Sequence, residues 1–353
     1  MLLTDPFPPE LAARWTARVP IESDVDAVAE LILADDRRYD PDASVDRAHL
    51  ASRMVGLRSW SRRQIVIVPV GRTPGRPVAW VSCVDRSPGL VDVQWVVDPE
   101  VAERDALVGA LLDWVVQVGG AFARHRGLDE TLIDADCHED DVDRQRLLAS
   151  HGFAKVRTWL HMERPIAPED VDARGPREGV RVRRVETHPG SGLPIAHDVR
   201  TVHRMLEESF QDHFSSYRES FAEFAARLTE GPESAWDHWW IAEVLQDDGT
   251  WWPGGGLVSV AQAATAHKGE GTYLEYLGVH RSARGRGVAK ALLNAAVRDA
   301  AERGRTRVGL EVDADSPTGA DGLYESMGWR TYERTQSWHT TVPAQESRLI
   351  EAD

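Results

Sequence analysis

The sequence is poor in the features that define several classes of protein. It has only two cysteines, Cys83 and Cys137, in 353 residues, too few for a disulfide framework or a multi-cysteine zinc site. No uninterrupted apolar run reaches about 18 residues, so we expect no membrane span and no membrane partner. The start, MLLTDPFPPE, lacks a basic segment followed by an apolar one, which predicts no secretory signal and a cytoplasmic protein.

Positive charge is also scarce. The chain has 41 Lys and Arg residues against 57 Asp and Glu residues, a net charge of −16, and both halves are acidic. Nucleic-acid binding requires clustered positive charge, so we expect no nucleic-acid partner. The acidic excess is compatible with a cationic small substrate, although it is equally an ordinary means of keeping a protein soluble.

An internal repeat is the most informative feature that the sequence does contain. Matching blocks occur in the same order in both halves: LVDVQWVV (90–97) and LLASHGF (147–153) in the first, TYLEYLGV (272–279) and LYESMGW (323–329) in the second. Val97 precedes Val279 by 182 positions, and Gly152 precedes Gly328 by 176. Two blocks at nearly one spacing indicate a duplicated domain.

Periodicity predicts the elements of each copy. Apolar residues from Ala289 to Ala300 recur at helical spacing, whereas Val308, Leu310 and Val312 alternate as in a half-buried strand. Each copy reads as helices, antiparallel strands and then strand–helix–strand–helix–strand, a mixed α/β fold. The predicted organisation is an N-terminal domain (1–166), a polar linker (167–179), a C-terminal domain (180–342) and a polar tail (343–353).

A glycine-rich loop joins a predicted strand to a predicted helix in LGVHRSARGRGVAKALL (277–293). Glycines let backbone N–H groups approach a ligand, and the helix that follows presents its positive end. Together they predict a cradle for a pyrophosphate, although such a loop can also be a simple tight turn. The loop is neither a Walker sequence nor a dinucleotide GxGxxG, because Lys290 stands where the third glycine belongs.

The same loop resembles a known family signature. Arg284-x-x-Gly287-x-Ala289 resembles the (Gln/Arg)xxGx(Gly/Ala) motif of the GCN5-related N-acetyltransferase (GNAT) superfamily, and LYESMGW resembles that family's LYxxxGF segment. The repeat is similar to the tandem type represented by mycothiol synthase and related actinobacterial acetyltransferases. The resemblance implies two tandem GNAT-like acyl-CoA N-acyltransferase domains, with the better site in the C-terminal copy.

The resemblance also implies a coenzyme and its contacts. Acetyl-CoA would be the co-substrate, with its pyrophosphate on the amides of residues 285–289 and its pantetheine beside the strand that precedes them. The family's frequent Asn before the LY segment is replaced here by Asp315-Ser316-Pro317. The candidate coenzyme-binding residues are Leu277, Gly278, Val279, Arg284, Gly285, Arg286, Gly287, Val288, Ala289 and Ser316.

The first copy departs from this pattern where the coenzyme would bind. Glu103 and Asp105 align with the cradle glycines, and Leu148 takes the place of Tyr324. Carboxylates repel a pyrophosphate. We therefore expect a degenerate N-terminal domain that does not bind the coenzyme in the usual way.

Three residues are candidates for the chemistry. The resemblance implies that Tyr324 is the general acid for the departing thiolate, while a packing role beside Trp329 is the alternative. Glu275, two residues before Leu277 and so expected on the same face, and Glu311, on the next strand, are candidate bases, or else solvated strand residues. Tyr273 stands where other family members carry a catalytic Glu.

Acceptor residues are expected in MLEESFQDHFSSY (205–217), where Glu208, Asp212 and His213 are candidates to hold a cationic amine. The expected reaction is transfer of acetyl to a primary amine of a small molecule by direct attack in a ternary complex. The alternatives are a non-catalytic acyl-CoA sensor and a protein N-terminal or lysine acetyltransferase. No metal is expected, and the chain is expected to be a monomer or a homodimer.

Overall fold

A computed structural model describes residues 7–56, 59, 61–71, 75–210, 219–229, 236–265, 267–316 and 319–345. Within this part of the chain, two compact units are present. Unit 1 contains residues 7–159 and 333–345, and unit 2 contains residues 160–229 and 236–332.

The elements follow the order expected for each copy of the repeat. In chain order they are α1 (Pro9–Ala12), β1 (Trp15–Arg18), α2 (Val25–Asp36), α3 (Arg47–Met54), β2 (Arg62–Pro69), β3 (Ala79–Ser87), β4 (Leu90–Val97), α4 (Arg104–His125), β5 (Glu130–His138), α5 (Val142–Ser150), β6 (Ala154–Pro165), β7 (Val180–Arg184), α6 (Ala196–Ser209), α7 (Phe221–Thr229), β8 (Trp239–Leu245), β9 (Trp251–Gln262), β10 (Gly271–Val279), α8 (Val288–Glu302), β11 (Arg307–Asp313), α9 (Ala320–Ser326) and β12 (Arg330–Pro343).

Each unit is built on a mixed sheet, which confirms the mixed α/β fold. In unit 1 the strand order is β1-β2-β3-β4-β5-β12, and in unit 2 it is β6-β11-β10-β9-β8-β7. In both sheets the early strands pair antiparallel, and the two strands joined by the long helix pair parallel: β4 with β5 and β10 with β11. Parallel pairing needs such a crossover, and α4 and α8 supply it.

The last strand of each unit comes from an unexpected part of the chain. Residues 335–343 of β12 pair antiparallel with β5 in unit 1, although they follow α9 of unit 2 in sequence. Residues 160–165 of β6 belong to unit 2, although β6 follows α5 of unit 1. The domain bounds expected from the sequence (1–166 and 180–342) stay a prediction, because neither compact unit is one continuous stretch of the chain.

The parallel strand pairs are short, and this leaves a gap in each sheet. Register between β10 and β11 runs from Gly271–Arg307 to Leu274–Leu310, and β10 continues for five residues beyond it. In unit 1 the pairing of β4 with β5 likewise ends at Val93–Ala135, four residues before β4 ends. The repeat therefore extends to the place where the paired strands separate.

The long helices cover one face of each sheet. Helix α4 packs into the core of unit 1 with Trp114 and Val115 buried, and α8 packs into the core of unit 2 with Leu292 and Leu293 buried. Among the described residues, only α4 has the length and composition of a membrane span, and 72% of its apolar window is buried within the protein. That burial is typical of a core helix.

Candidate active site

The edge of β10 beyond its pairing with β11 lines the gap in unit 2. On its other edge, β10 is paired with β9 from Tyr276–Val258 to Val279–Gly255. The predicted pantetheine contacts, Leu277, Gly278 and Val279, therefore lie on a strand that is held on one side and has separated from β11 on the other. Strands that separate in this way offer backbone N–H and C=O groups to an extended ligand.

The cradle follows β10 directly. After a short 3₁₀ helix (Arg281–Ala283), Gly285 and Gly287 adopt left-handed conformations with φ of 76° and 84°, and Gly287 is the N-cap of α8. A Cβ on Gly285 would meet nothing within 4 Å, so the space beside it is open to a ligand. The first amides of α8, from Val288 and Ala289, have no partner within the helix, so they could receive an anion.

Two arginines of the motif lie at the same loop. Arg284 is exposed, whereas Arg286 donates from Nη2 to the carbonyl oxygen of Leu245 at 2.8 Å. Arg286 thus ties the loop to the end of β8. The glycine positions and the helix start fit an anionic coenzyme, because added side chains would fill the approach or require a left-handed backbone.

Tyr324 lies on α9 and is buried in the apolar core of unit 2. It is 8% exposed and belongs to the same apolar cluster as Leu277 and Val279. Its ring meets Trp329 edge-on at 6.0 Å between centroids. Burial raises the pKa of Tyr324 to about 12, so its hydroxyl keeps its proton at neutral pH, as a proton donor requires. Packing against Trp329 and donation of a proton are compatible for this side chain.

A β-bulge changes the expected placement of Glu275. The register of β10 on β9 shifts between Leu274 and Tyr276, so strict alternation is interrupted at Glu275. Tyr276 packs against the cluster under α6, whereas Leu277 packs against the cluster under α8. The argument that residues two apart share a face therefore fails for Glu275 and Leu277. The exposed Glu275 carboxylate acts electrostatically on Arg227 of α7 instead.

Glu311 and Tyr273 lie close together across β10 and β11. Tyr273 is opposite Gly309 in the register, and a Cβ on Gly309 would lie 3.3 Å from Cδ2 of the Tyr273 ring. Burial, and then the charge of Glu311, raise the pKa of Tyr273. Tyr273 thus stays protonated, while Glu311 is exposed on its strand. Glu275 also acts on Tyr273, so the two candidate bases flank one tyrosine.

The candidate acceptor residues are only partly described. Glu208 of α6 contacts His280 (Oε2 to Nε2, 3.1 Å), and Nδ1 of His280 accepts from the backbone N–H of Ser282. Glu208 therefore holds the turn after β10 in this structure. Asp212 and His213 lie outside the described residues. The structure does not bring Glu208 together with Glu311 or Tyr324 through any contact that it records.

Ser316 lies in the turn between β11 and α9. Its N–H donates to the carbonyl oxygen of Asp313 at 3.1 Å, and its own carbonyl oxygen accepts from Gly319, the N-cap of α9. Ser316 therefore shapes the entry to the helix that carries Tyr324. In the described part of the chain, no group of three or more His, Cys, Asp or Glu residues is arranged to hold a metal ion.

The corresponding gap of unit 1 is closed by a side chain. Arg144 of α5 is 8% exposed, donates to the carbonyl oxygen of Trp95 at 3.2 Å, and places its guanidinium 3.9 Å from the centre of the Trp95 ring. Asp35 contacts the same guanidinium at 3.4 Å. The repeat spacing of 182 matches Trp95 to Leu277, and the spacing of 176 matches Arg144 to Ala320. Unit 1 therefore carries an arginine where unit 2 has a methyl group.

The start of the crossover helix of unit 1, α4, also differs from the start of α8 in unit 2. Glu103 is the N-cap of α4 with φ of 63°, and it is the only residue other than glycine with a left-handed φ among the described residues. By helix start, Glu103 rather than Asp105 matches Gly287. Asp105 lies in the first turn and pairs with Arg146 at 2.8 Å. The left-handed N-cap is thus kept in unit 1, where it carries a negative carboxylate.

Sequence reasoning missed residues whose partners are distant in the chain. Arg227 lies over the rings of Phe224 and Tyr276 and pairs with Glu219. Arg144 closes the gap of unit 1. Neither residue belongs to a motif, and only the fold brings each to its partners. The tryptophans Trp236 and Trp239 lie in the core under α6.

Part of the chain is similar in sequence to known proteins. Residues 200–329 match the model of the acetyltransferase (GNAT) family. Mycothiol acetyltransferase of Jonesia denitrificans is 26% identical over 236 residues, which are 66% of this chain and 68% of that protein.

Two solved structures share the fold over nearly the whole chain. A GCN5-related N-acetyltransferase from Sphaerobacter thermophilus (TM-score 0.63, 24% identity) covers 95% of this chain and 98% of its own. A tandem GNAT protein from the clavulanic acid biosynthesis pathway (TM-score 0.64, 15% identity) covers 94% and 99%. Proteins of this family use an acyl-CoA. Residues 200–329 thus match the acetyltransferase (GNAT) family, and the fold of the chain is similar to that of a tandem GNAT protein.

Proposed function

We propose that the protein transfers an acetyl group from acetyl-CoA to a primary amine of a small molecule, by direct attack in a ternary complex. The observation that carries the proposal is the open gap beside β10, which leads directly to the glycine cradle at the start of α8. One of the relatives, mycothiol acetyltransferase, is named for mycothiol rather than for a protein, which supports a small acceptor.

Each group of residues has a proposed role that follows from its position. The amides from Gly285 to Ala289 hold the phosphates, and the free edge of β10 orients the pantetheine. Bound acetyl-CoA supplies the acyl group as a reactive thioester. Tyr324, whose buried hydroxyl is protonated at neutral pH, gives a proton to the departing sulfur. Proton transfer from a placed group contributes on the order of 10²–10⁴-fold to the rate.

Glu275 and Glu311 are the proposed bases, acting directly or through a water. Both are exposed carboxylates, and both act on the Tyr273 hydroxyl. Their negative charge favours a cationic amine near β10 and β11, and one carboxylate then takes its proton. This arrangement favours an amine acceptor over a hydroxyl acceptor, which would carry no charge for the carboxylates to attract.

We propose one coenzyme site per chain, in unit 2. Arg144 takes the strand carbonyl of Trp95 in unit 1, and Glu103 places a carboxylate at the helix start. The first change occupies a backbone group that an extended ligand would use, and the second repels an anionic ligand. We place the protein in the cytoplasm, where both buried cysteines would stay reduced.

A screen of amine acceptors that follows thiol release from acetyl-CoA tests the proposal. Primary amines of small molecules are expected to accelerate release, with initial rates that depend on both substrates together. Thiol release that is the same with every amine and with water alone would favour a sensor. Acceleration only by peptides would favour a protein acetyltransferase.

A further inference from the structure

The segment predicted to be a polar linker makes hydrogen bonds to unit 2. Residues 166–179, the strap, begin where the Ile166 N–H donates to the carbonyl oxygen of Thr306 at 2.9 Å. A short 3₁₀ helix (Pro168–Asp172) follows, and Asp170 accepts two hydrogen bonds from Arg164 at 2.9 and 2.7 Å. The first half of the strap is therefore pinned at both of its ends.

The second half of the strap is held along α8. Asn294 donates from Nδ2 to the carbonyl oxygen of Arg174 at 2.8 Å, and Arg298 donates to the carbonyl oxygen of Ala173. Where the strap ends, the N–H of Val180 donates to the carbonyl oxygen of Arg177 at 3.0 Å. These backbone contacts fix the path of the strap towards the start of α8.

The strap places one cationic side chain on the cradle. A Cβ built on Gly287 would lie 3.1 Å from Cδ and 3.3 Å from Nε of Arg177. The Arg177 side chain is exposed and passes over the N-cap of the helix whose amides form the cradle. Glycine is thus favoured at position 287 for two reasons, the left-handed backbone and the arginine above it.

Unit 1 repeats this arrangement, and there the arginine meets a carboxylate of the protein. Arg14 lies just before β1, as Arg177 lies just before β7, and it also reaches the N-cap of the crossover helix. There it pairs with Glu103 (Nη1 to Oε1, 3.2 Å). In unit 2 the N-cap is Gly287, which offers Arg177 no carboxylate. The Glu103 carboxylate therefore marks where an anion meets this arginine.

We propose that Arg177 binds a phosphate group of the coenzyme, so that the strap is a coenzyme-binding arm of unit 2. The inference rests on the proposed function, because it assumes that acyl-CoA occupies the cradle. The planar guanidinium suits the paired oxygens of a phosphate, and the amides of the helix start face the same ligand. The pyrophosphate and the 3′-phosphate of CoA share this chemistry.

Calorimetric titration of CoA into the full-length Arg177→Ala, Arg177→Lys and Arg177→Glu variants tests the proposal. Loss of a charge-assisted hydrogen bond is expected to weaken CoA binding about tenfold in Arg177→Ala, with partial recovery in Arg177→Lys. Arg177→Glu, which brings a carboxylate to the cradle, is expected to weaken binding further. Arg14→Ala, the matched change in unit 1, should leave CoA affinity within about twofold.

Two further readouts separate binding from folding. Arg177→Ala is expected to raise KM for acetyl-CoA with kcat unchanged and to reduce the salt dependence of CoA binding, neither of which a loosened strap would produce by itself. Thermal unfolding checks that the variants are folded. With 3′-dephospho-CoA, a loss that persists assigns the pyrophosphate to Arg177, and a loss that disappears assigns the 3′-phosphate.

Failure of the proposed role of Arg177 can be distinguished from failure of the proposed function. Wild-type CoA affinity in a folded Arg177→Ala variant would overturn the role of Arg177 and leave the proposed function intact. Absence of CoA binding by the wild-type chain would overturn the proposed function and this inference with it.

Discussion

Replacement of Gly287 by Glu should convert the cradle of unit 2 into the form found in unit 1. Gly287 has φ of 84°, and Glu103 keeps φ of 63° at the same helix position, so the backbone can accept the change. A residue with a Cβ in this conformation costs about 1–2 kcal/mol of folding free energy. We therefore expect a folded protein with a modestly lower free energy of unfolding.

The effect on coenzyme binding should be much larger. A carboxylate about 5 Å from a bound phosphate repels it by about 3 kcal/mol at an effective dielectric constant of 20, which corresponds to a roughly 100-fold loss of affinity. The new carboxylate can also pair with Arg177, as Glu103 pairs with Arg14. The assay is calorimetric titration of acetyl-CoA into Gly287→Glu, with thermal unfolding to measure stability.

Two matched variants isolate the charge. Gly287→Ala carries the backbone cost without the carboxylate, and we expect it to lose less than about tenfold in affinity. Glu103→Gly makes the reverse change in unit 1 and should leave coenzyme binding unchanged. The reasoning is refuted by wild-type affinity in Gly287→Glu, or by an equal loss in Gly287→Ala.

Three further predictions concern other parts of the chain. Calorimetry with acetyl-CoA should give one site per chain, and two equal sites would refute closure of the unit 1 gap by Arg144. Tyr324→Phe should lower kcat about 100-fold with little change in acetyl-CoA affinity, and wild-type kcat would make Tyr324 a packing residue only. Burial and then the charge of Asp35 raise the pKa of Asp36 to about 6, above its unfolded value of about 3.9, so stability is lost as pH rises through this window. The shift alone corresponds to about 3 kcal/mol, which solvent screening reduces to about 1 kcal/mol. Asp36→Asn should therefore raise the free energy of unfolding near pH 8, as measured by urea denaturation, and equal wild-type and variant stabilities there would contradict the assignment.

Much of the fold could be predicted because local pattern and local structure agree. The blocks at 90–97 and 307–313 coincide with β4 and β11, since alternation of apolar residues has only one interpretation there. The left-handed glycines before α8 were also predictable, because glycine adopts this backbone without the steric cost of a Cβ. These features depend on residues that are near one another in sequence.

Other features depend on partners that the sequence does not reveal. The bulge at Glu275 exists only in the register of β10 on β9, and no residue type announces it. Strand β6 joins the sheet of unit 2, and strand β12 joins the sheet of unit 1. Which sheet each strand joins depends on the edge that it meets in the folded chain. In the sequence, Arg144 is an ordinary residue of a predicted helix. Its contact with β4 exists only because the fold packs α5 against that strand. Long-range packing decides each of these cases.

The Arg177 side chain shows the same limit within the candidate site. Residues 167–179 are polar and rich in Pro and Gly, a composition typical of a linker. Only the contacts of Asn294 and Arg298 with the strap show that it is bound along α8. The coenzyme motif therefore predicted the cradle, and it did not predict the arm above it.

The central claim is that unit 2 moves an acetyl group from acetyl-CoA to an amine. The most direct measurement is mass spectrometry of the products after incubation with acetyl-CoA labelled in its acetyl group and a small-molecule primary amine that accelerates thiol release. The account predicts labelled amide on the amine, formed by the wild type and not by Gly287→Glu. Label found only in free acetate, or equal labelling with Gly287→Glu, would contradict it.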